Sequence, residues 1–164
     1  MALRELADVL DLPSVRVTGY RKEPERIDVF VELESDTAAC PRCGVRSTRK
    51  HSTKLIPVRD LPCFGREVYL LLPRRRFKCR HCGTPFTEHV SFVEFGNSFT
   101  QRYESYIYEQ CYGRSFTIVA KQERISDTVI RQVYDSYASR RVQPSSSWRR
   151  APTRIRQSKV PLTP

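Results

Sequence analysis

Four of the six cysteines stand in two pairs of the same form, CPRCG with Cys40 and Cys43, and CRHCG with Cys79 and Cys82. A C-x-x-C turn lets two thiolates reach one tetrahedral zinc ion at about 2.3 Å, and the glycine after each pair permits the tight turn that aims amide N–H groups at sulfur. Two such knuckles make a closed site, so the expectation is one structural Zn2+ with no coordination position left for a substrate. A thioredoxin-like redox pair is the competing chemistry; it needs the start of a helix in a βαβ setting, and neither pair has that context. Thirty-five residues separate Cys43 from Cys79, more than the roughly 15–20 usual for this pattern, so a strand hairpin must fill the interval. Cys63 and Cys111 fall outside the spacing and read as small apolar core residues. His51, His81 and His89 read as surface groups.

The second chemistry is charge. The 164 residues carry a net charge of +11, which argues for a polyanionic partner. Nucleic acid comes ahead of a membrane, because no apolar run approaches the roughly 18 residues of a spanning helix. Residues 1–36 hold five basic against nine acidic side chains, residues 37–90 twelve against three, residues 91–143 seven against six, and residues 144–164 five against none. The surplus therefore lies beside the cysteines and in the tail. Within it, Arg74, Arg75, Arg76, Lys78 and Arg80 form the run expected to grip phosphates. The opening MALRELADVLDLP lacks the apolar core of a signal peptide, so the chain reads as cytoplasmic and its cysteines as metal ligands or free thiols rather than disulfides.

These groups need elements to hold them. From Val15, VRVTGY, a charged KEPE turn and RIDVFVELE predict a hairpin with Ile27, Val29, Val31 and Leu33 on one face. A second strand-rich block is expected from Arg46 to Lys78 with a turn at Phe64 and Gly65, and Pro73 is expected to confine its last strand to an edge or split it in two. After Glu94 the period changes. Asn97 and Ser98 offer N-caps, with Gln101 completing a capping box at Ser98, ahead of a helix carrying Phe99, Tyr103, Ile107 and Cys111 on one face. Gly113 is placed to end it. Ser115 caps a short second helix with Ile118 and Val119 turned inward, and Ser126 caps a third running to about Arg140 with Val129, Ile130, Val133, Tyr134 and Tyr137 as its apolar stripe.

That order is helix-turn-helix spacing. Ile125 becomes the buried turn residue, and Ser126, Asp127, Thr128, Arg131, Gln132 and Asp135 face outward where a recognition helix presents side chains to the major groove. Arg131 suits guanine and Gln132 adenine, with Ser126 and Thr128 on phosphate or methyl groups. A plain three-helix bundle with a solvated polar face fits the same periodicity. Arg124 stands where many such turns have glycine.

Taken together, LDLPSVRV, VFVELE, CPRCG, VRDLP, FGREVYLLL, RRRFKCRHCG and SFTIVAKQERISDTVIRQVY resemble the N-terminal part of the ISL-three (ISL3) family of insertion-sequence transposases, over roughly residues 7–140. The resemblance implies a zinc ribbon and a helix-turn-helix, with Cys40, Cys43, Cys79 and Cys82 as zinc ligands and Ser126 to Gln132 opening the recognition helix. It implies double-stranded DNA as partner, with transposon ends as the sites, and is compatible with a homodimer. The family's catalytic domain bears an Asp-Asp-Glu metal site on an RNase H fold. No such domain is legible here, so the expectation is DNA recognition in transposition without enzymatic activity in this chain. The alternative is a zinc-ribbon interaction module or transcription regulator that binds protein or RNA.

The expected class is α+β. A strand hairpin at residues 1–36 leads into a zinc ribbon at 37–92, followed by a helix-turn-helix at 93–143 and a disordered Pro- and Arg-rich tail at 144–164.

Overall fold

The computed structural model describes residues 3–94 and 98–141, an α+β architecture with the strands first and the helix-turn-helix after them. The expected Asn97 cap and the Pro-rich tail lie outside the described residues. No helix among those described is long and apolar enough to cross a membrane.

A short helix, α1 (Leu3–Leu10), precedes the strands and was not expected from sequence. Leu6 and Leu10, four apart and so on one face, pack against the sheet core. Asp11, at φ 44°, ends the helix in the left-handed region. The hairpin of β1 (Val15–Lys22) and β2 (Arg26–Leu33) follows as expected. A long antiparallel hairpin, β5 (Lys50–Cys63) and β6 (Arg66–Lys78), joins it through a parallel β2–β6 pairing from Arg26↔Glu67 to Phe30↔Leu71. The sheet order is β1-β2-β6-β5. The first hairpin and the long hairpin thus share one sheet and one core, in which Val17, Val29, Val31, Val58, Val68, Leu70 and Leu72 are buried.

Pro73 neither splits β6 nor confines the whole strand to an edge, contrary to expectation. The β2 ladder stops at Leu71 and Pro73 pairs only with Leu55 of β5. On its other side no ladder bond asks for an N–H, so a proline fits there. The same point marks a change of face. Val68, Leu70 and Leu72 are buried on one side of β6, whereas Arg75, Phe77 and Cys79 are buried on the other. Successive side chains alternate across a strand, so one strand serves two cores: the main sheet near its start and the cysteine cluster near its end. Two small pieces complete that distal core, the pair β3 (Ala38–Ala39) with β4 (Arg46–Ser47), and β7 (Pro85–Thr87) paired to the end of β6.

The helices are α2 (Gln101–Gln110), α3 (Phe116–Glu123) and α4 (Asp127–Arg141). The α2 cap is Thr100 rather than Ser98: its hydroxyl accepts from Tyr103 N at 3.2 Å and donates to Asp60 at 2.8 Å. Ser98 is instead used by its backbone, where its carbonyl accepts from Arg59 N on edge strand β5. Ser115 and Ser126 cap α3 and α4 as expected, each accepting from the amide three residues on. Of the pair expected to turn inward on α3, Val119 is fully buried but Ile118 is 57% exposed.

Asp28, 1% exposed on β2, is held between Arg21 and Arg26 at 2.6 Å each. Burial by itself would raise its pKa; hydrogen bonds and charge from Arg21 and Arg26 outweigh that and hold the carboxyl below its ordinary value. A carboxylate with a depressed folded pKa adds stability above the unfolded pKa of about 4 and loses it as pH falls through the folded value. Asp28→Asn is therefore expected to lower stability at pH 7 and to flatten its decline below about pH 4, checked by urea melts across pH. An unchanged acid limb would refute this.

Candidate metal centre and nucleic-acid interface

Each cysteine pair sits in the same backbone turn. The Cys40 amide donates to Val45 O and the Gly44 amide returns to Cys40 O at 2.8 Å; the Cys79 amide donates to Thr84 O and the Gly83 amide returns to Cys79 O at 3.1 Å. Such a turn needs a left-handed residue, and Gly44 (φ 73°) and Gly83 (φ 71°) supply it. The two knuckles face each other. All four Sγ atoms lie within 4.8 Å of one another, with Cys40–Cys82 and Cys43–Cys79 at 3.6 Å. Tetrahedral zinc with bonds of about 2.3 Å separates its sulfurs by about 3.8 Å, so the donor set fits that ion in both chemistry and size.

The surroundings prepare the thiols for a cation. The Thr84 hydroxyl and amide stabilise the Cys82 thiolate and bring its pKa down to about 6. The Val45 amide favours the Cys43 thiolate too, but burial and the three neighbouring sulfurs outweigh it and push Cys43 up to about 12. Four crowded sulfurs cannot all ionise by themselves; a divalent cation removes that conflict. Beneath them Phe77 and Phe86 stack at 5.7 Å. Of the remaining cysteines, Cys63 packs at the margin of the sheet core and Cys111 within the helical core, where burial raises its thiol. The three histidines are exposed.

The basic run is divided by strand alternation. Arg75 is 5% exposed and faces the cysteine core. Its guanidinium is paired with Glu88, donates to Ser35 O at 2.6 Å and lies over Phe77. The expectation that Arg75 grips phosphate is thereby corrected: a buried, fully engaged guanidinium braces β6 to β7 and to the chain entering β3. Arg76 and Lys78 alternate to the opposite face and are exposed, Arg74 on that face is half-buried, and Arg80 is exposed within its knuckle. Lys54, paired with Arg74 in register, joins this face from β5. Sequence reading missed it, although the turn at Phe64 and Gly65 places these two strands opposite each other.

The helix-turn-helix is built around Tyr103, Ile107, Val119, Ala120, Ile130 and Val133. Ile125 packs at the margin of that core, and Arg124 takes the left-handed turn position (φ 55°, ψ 39°) usual for glycine. On α4, Thr128, Arg131, Gln132 and Asp135 are exposed along with the cap Ser126, while Asp127 is half-buried. Asp127 bonds Thr117 at 3.2 Å and Arg131 at 3.3 Å, and Arg131 also lies 4.7 Å above Phe116. Arg131 is thus held in place on the helix surface by a carboxylate and an aromatic ring.

The helices are joined to the sheet by buried polar contacts. Asp60 binds Arg102 and Thr100, and Glu123 of α3 faces Arg59 of β5 at 3.6 Å. Arg124 pairs with Glu25 in the turn between β1 and β2.

Two family models match the chain. The zinc-finger of transposase IS204/IS1001/IS1096/IS1165 covers residues 36–82, and the helix-turn-helix domain of transposase family ISL3 covers residues 88–138. The chain is similar to the transposase for insertion sequence element IS1001 of Bordetella parapertussis, 34% identical over 75 residues. That stretch is 45% of this chain and 18% of the relative, so the match spans less than a fifth of the relative's length. No solved structure matches.

Proposed function

Since the chain belongs with the N-terminal zinc-ribbon and helix-turn-helix region of ISL3-family transposases, we propose that it is a zinc-dependent, sequence-preferring DNA-binding unit that recognises transposon ends. One structural zinc ion, held by Cys40, Cys43, Cys79 and Cys82, supplies folding energy to the distal end of the long hairpin. What these residues do there is geometric: the knuckles fix the strand register that puts Arg76 and Lys78 on one face. The role assigned is recognition rather than strand transfer.

The observation that carries this reading is the exposed basic face of Lys54, Arg76 and Lys78, none of them in an ion pair among the described residues, on the same hairpin that docks the helix-turn-helix. Arg80 adds to it from the knuckle. Between Tyr69, where Arg59 meets the helices, and Lys78 the strand advances by about 30 Å at roughly 3.3 Å per residue. A duplex held at both places is gripped over about one helical turn. The ribbon face supplies sequence-independent phosphate contacts; α4 presents Ser126, Thr128, Arg131 and Gln132 to base edges and flanking phosphates, with Asp127 orienting Arg131.

The division of labour is testable by titrating duplexes across a salt series. The double change Arg76→Ala/Lys78→Ala is expected to weaken binding to every sequence and to reduce the slope of log K against log salt by about 2. Arg131→Ala is expected to relax preference at one base position, by about 1–3 kcal/mol, and to leave the slope nearly unchanged. Equal losses on all sequences from both variants would defeat it, and tighter binding to RNA or to an acidic protein than to any duplex would favour an interaction module instead.

A further inference from the structure

At the tip of the long hairpin, between Cys63 and Arg66, the two turn residues are Phe64 (φ 50°) and Gly65 (φ 70°). Positive φ at both central positions defines the tight turn that suits the twist of a hairpin, and its favoured sequences are Asn-Gly and Asp-Gly. A bulky aromatic in the left-handed region is strained. Burial gives no compensation, because Phe64 is 87% exposed. The Arg66 guanidinium folds back to the Phe64 carbonyl at 3.4 Å, holding the turn in that conformation.

The tip stands near the turn that leads into α4. Leu61, three residues before Phe64, packs into the helical core. Glu67, just after the turn, pairs in register with Arg26, next to the Glu25 that binds Arg124 of the helix-turn-helix turn. Both hairpin tips therefore abut the residues that lead into the N-terminus of α4, the end that such motifs direct into the major groove. Arg66, in no ion pair among the described residues, gives this margin a positive charge to approach phosphate.

We propose that Phe64 is a DNA contact: an apolar wedge laid against the groove that flanks the segment read by α4. This rests on the DNA-binding reading above. Apolar side chains used in this way press against or between base steps, and their aromatic faces tolerate any base. The strain at the tip is then retained for binding rather than for folding.

The test is Phe64→Asn, which installs the residue the turn prefers, with Phe64→Trp beside it. The probe is a duplex selected by the wild-type full chain from a random-sequence pool. Phe64→Asn should raise the melting temperature by about 2–6 °C and lower affinity for that duplex at least about fivefold, with lost protection confined to the flank. Phe64→Trp should keep wild-type affinity. Unchanged affinity in Phe64→Asn overturns the proposal, as does a lower melting temperature, or a change in sedimentation without loss of binding, which would assign Phe64 to a protein contact. If the wild-type chain selects no duplex, the DNA-binding reading itself has failed, a result distinct from all of these.

Discussion

A chain carrying Cys79→Ser is expected to lose zinc and, with it, the distal half of the long hairpin and its grip on DNA. The expected size follows from how little else holds that end. Its core is Ala38, Cys40, Phe77, Cys79 and Phe86, with Cys43 and Cys82 at its margin, so four of its seven members are the candidate ligands themselves. A cluster this small does not fold on apolar burial alone. In small zinc modules the metal contributes an apparent 10–16 kcal/mol, as much as the whole stability of a typical domain. The sheet core around Val58 and Leu70 is separate, so unfolding should be local. By hydrogen exchange the amides of Cys40, Gly44, Cys79 and Gly83 lose protection while those of Val58 and Leu70 keep theirs. Affinity for duplex DNA falls to that of Arg76→Ala/Lys78→Ala or below. Chelation of the wild-type chain should reproduce both results, and protected knuckle amides after chelation would show that the metal is not structural.

The parts of this fold written in short-range chemistry were legible in advance. Two knuckles with their glycines, the turn at Phe64 and Gly65, and the caps at Ser115 and Ser126 each depend on a few neighbouring residues, and the structure has them where the spacing places them. What escaped depends on contacts between distant segments. The run RRRFK reads as one basic patch until the strand is known to serve cores on both faces; only then does Arg75 turn inward to Glu88. Pro73 looks like an interruption until β2 is seen to end beside it. Thr100 displaces Ser98 as the cap because Asp60, forty residues earlier, also takes its hydroxyl. The helix α1 is too short for its pattern to stand out before Leu6 and Leu10 have a sheet to meet. Among candidate site residues, the clustering of the four cysteines is local and was readable; the exposed basic face needed the pleat of β6 to separate Arg76 and Lys78 from Arg75.

The contact that fixes the reading head to the ribbon predicts the second large effect. Glu123 at the end of α3 is 5% exposed and accepts from Tyr103 Oη at 2.9 Å and Tyr106 Oη at 3.0 Å, with the Arg59 guanidinium at 3.6 Å. Arg59, also 5% exposed, is less well placed: Glu67 is likewise at 3.6 Å, its Nε has no hydrogen-bond partner, and its best remaining contact is the Tyr103 ring at 5.2 Å. Burial with Glu123 beside it raises the Tyr103 hydroxyl well above the usual tyrosine range, so the phenol stays neutral and a donor. Removing the carboxylate takes the acceptor from one buried and one half-buried hydroxyl and leaves the buried cation with Glu67 alone, and Glu123→Ala should cost about 3–5 kcal/mol. Removing the cation leaves Glu123 with both tyrosine donors, and methionine fills the volume, so Arg59→Met should cost less than half as much. The double variant Arg59→Met/Glu123→Leu should recover part of the loss, because no buried charge is left unpaired. Urea melts of the three variants decide this. Equal costs for the two single changes would mean that the ion pair, and not the carboxylate–tyrosine network, holds α3 against β5.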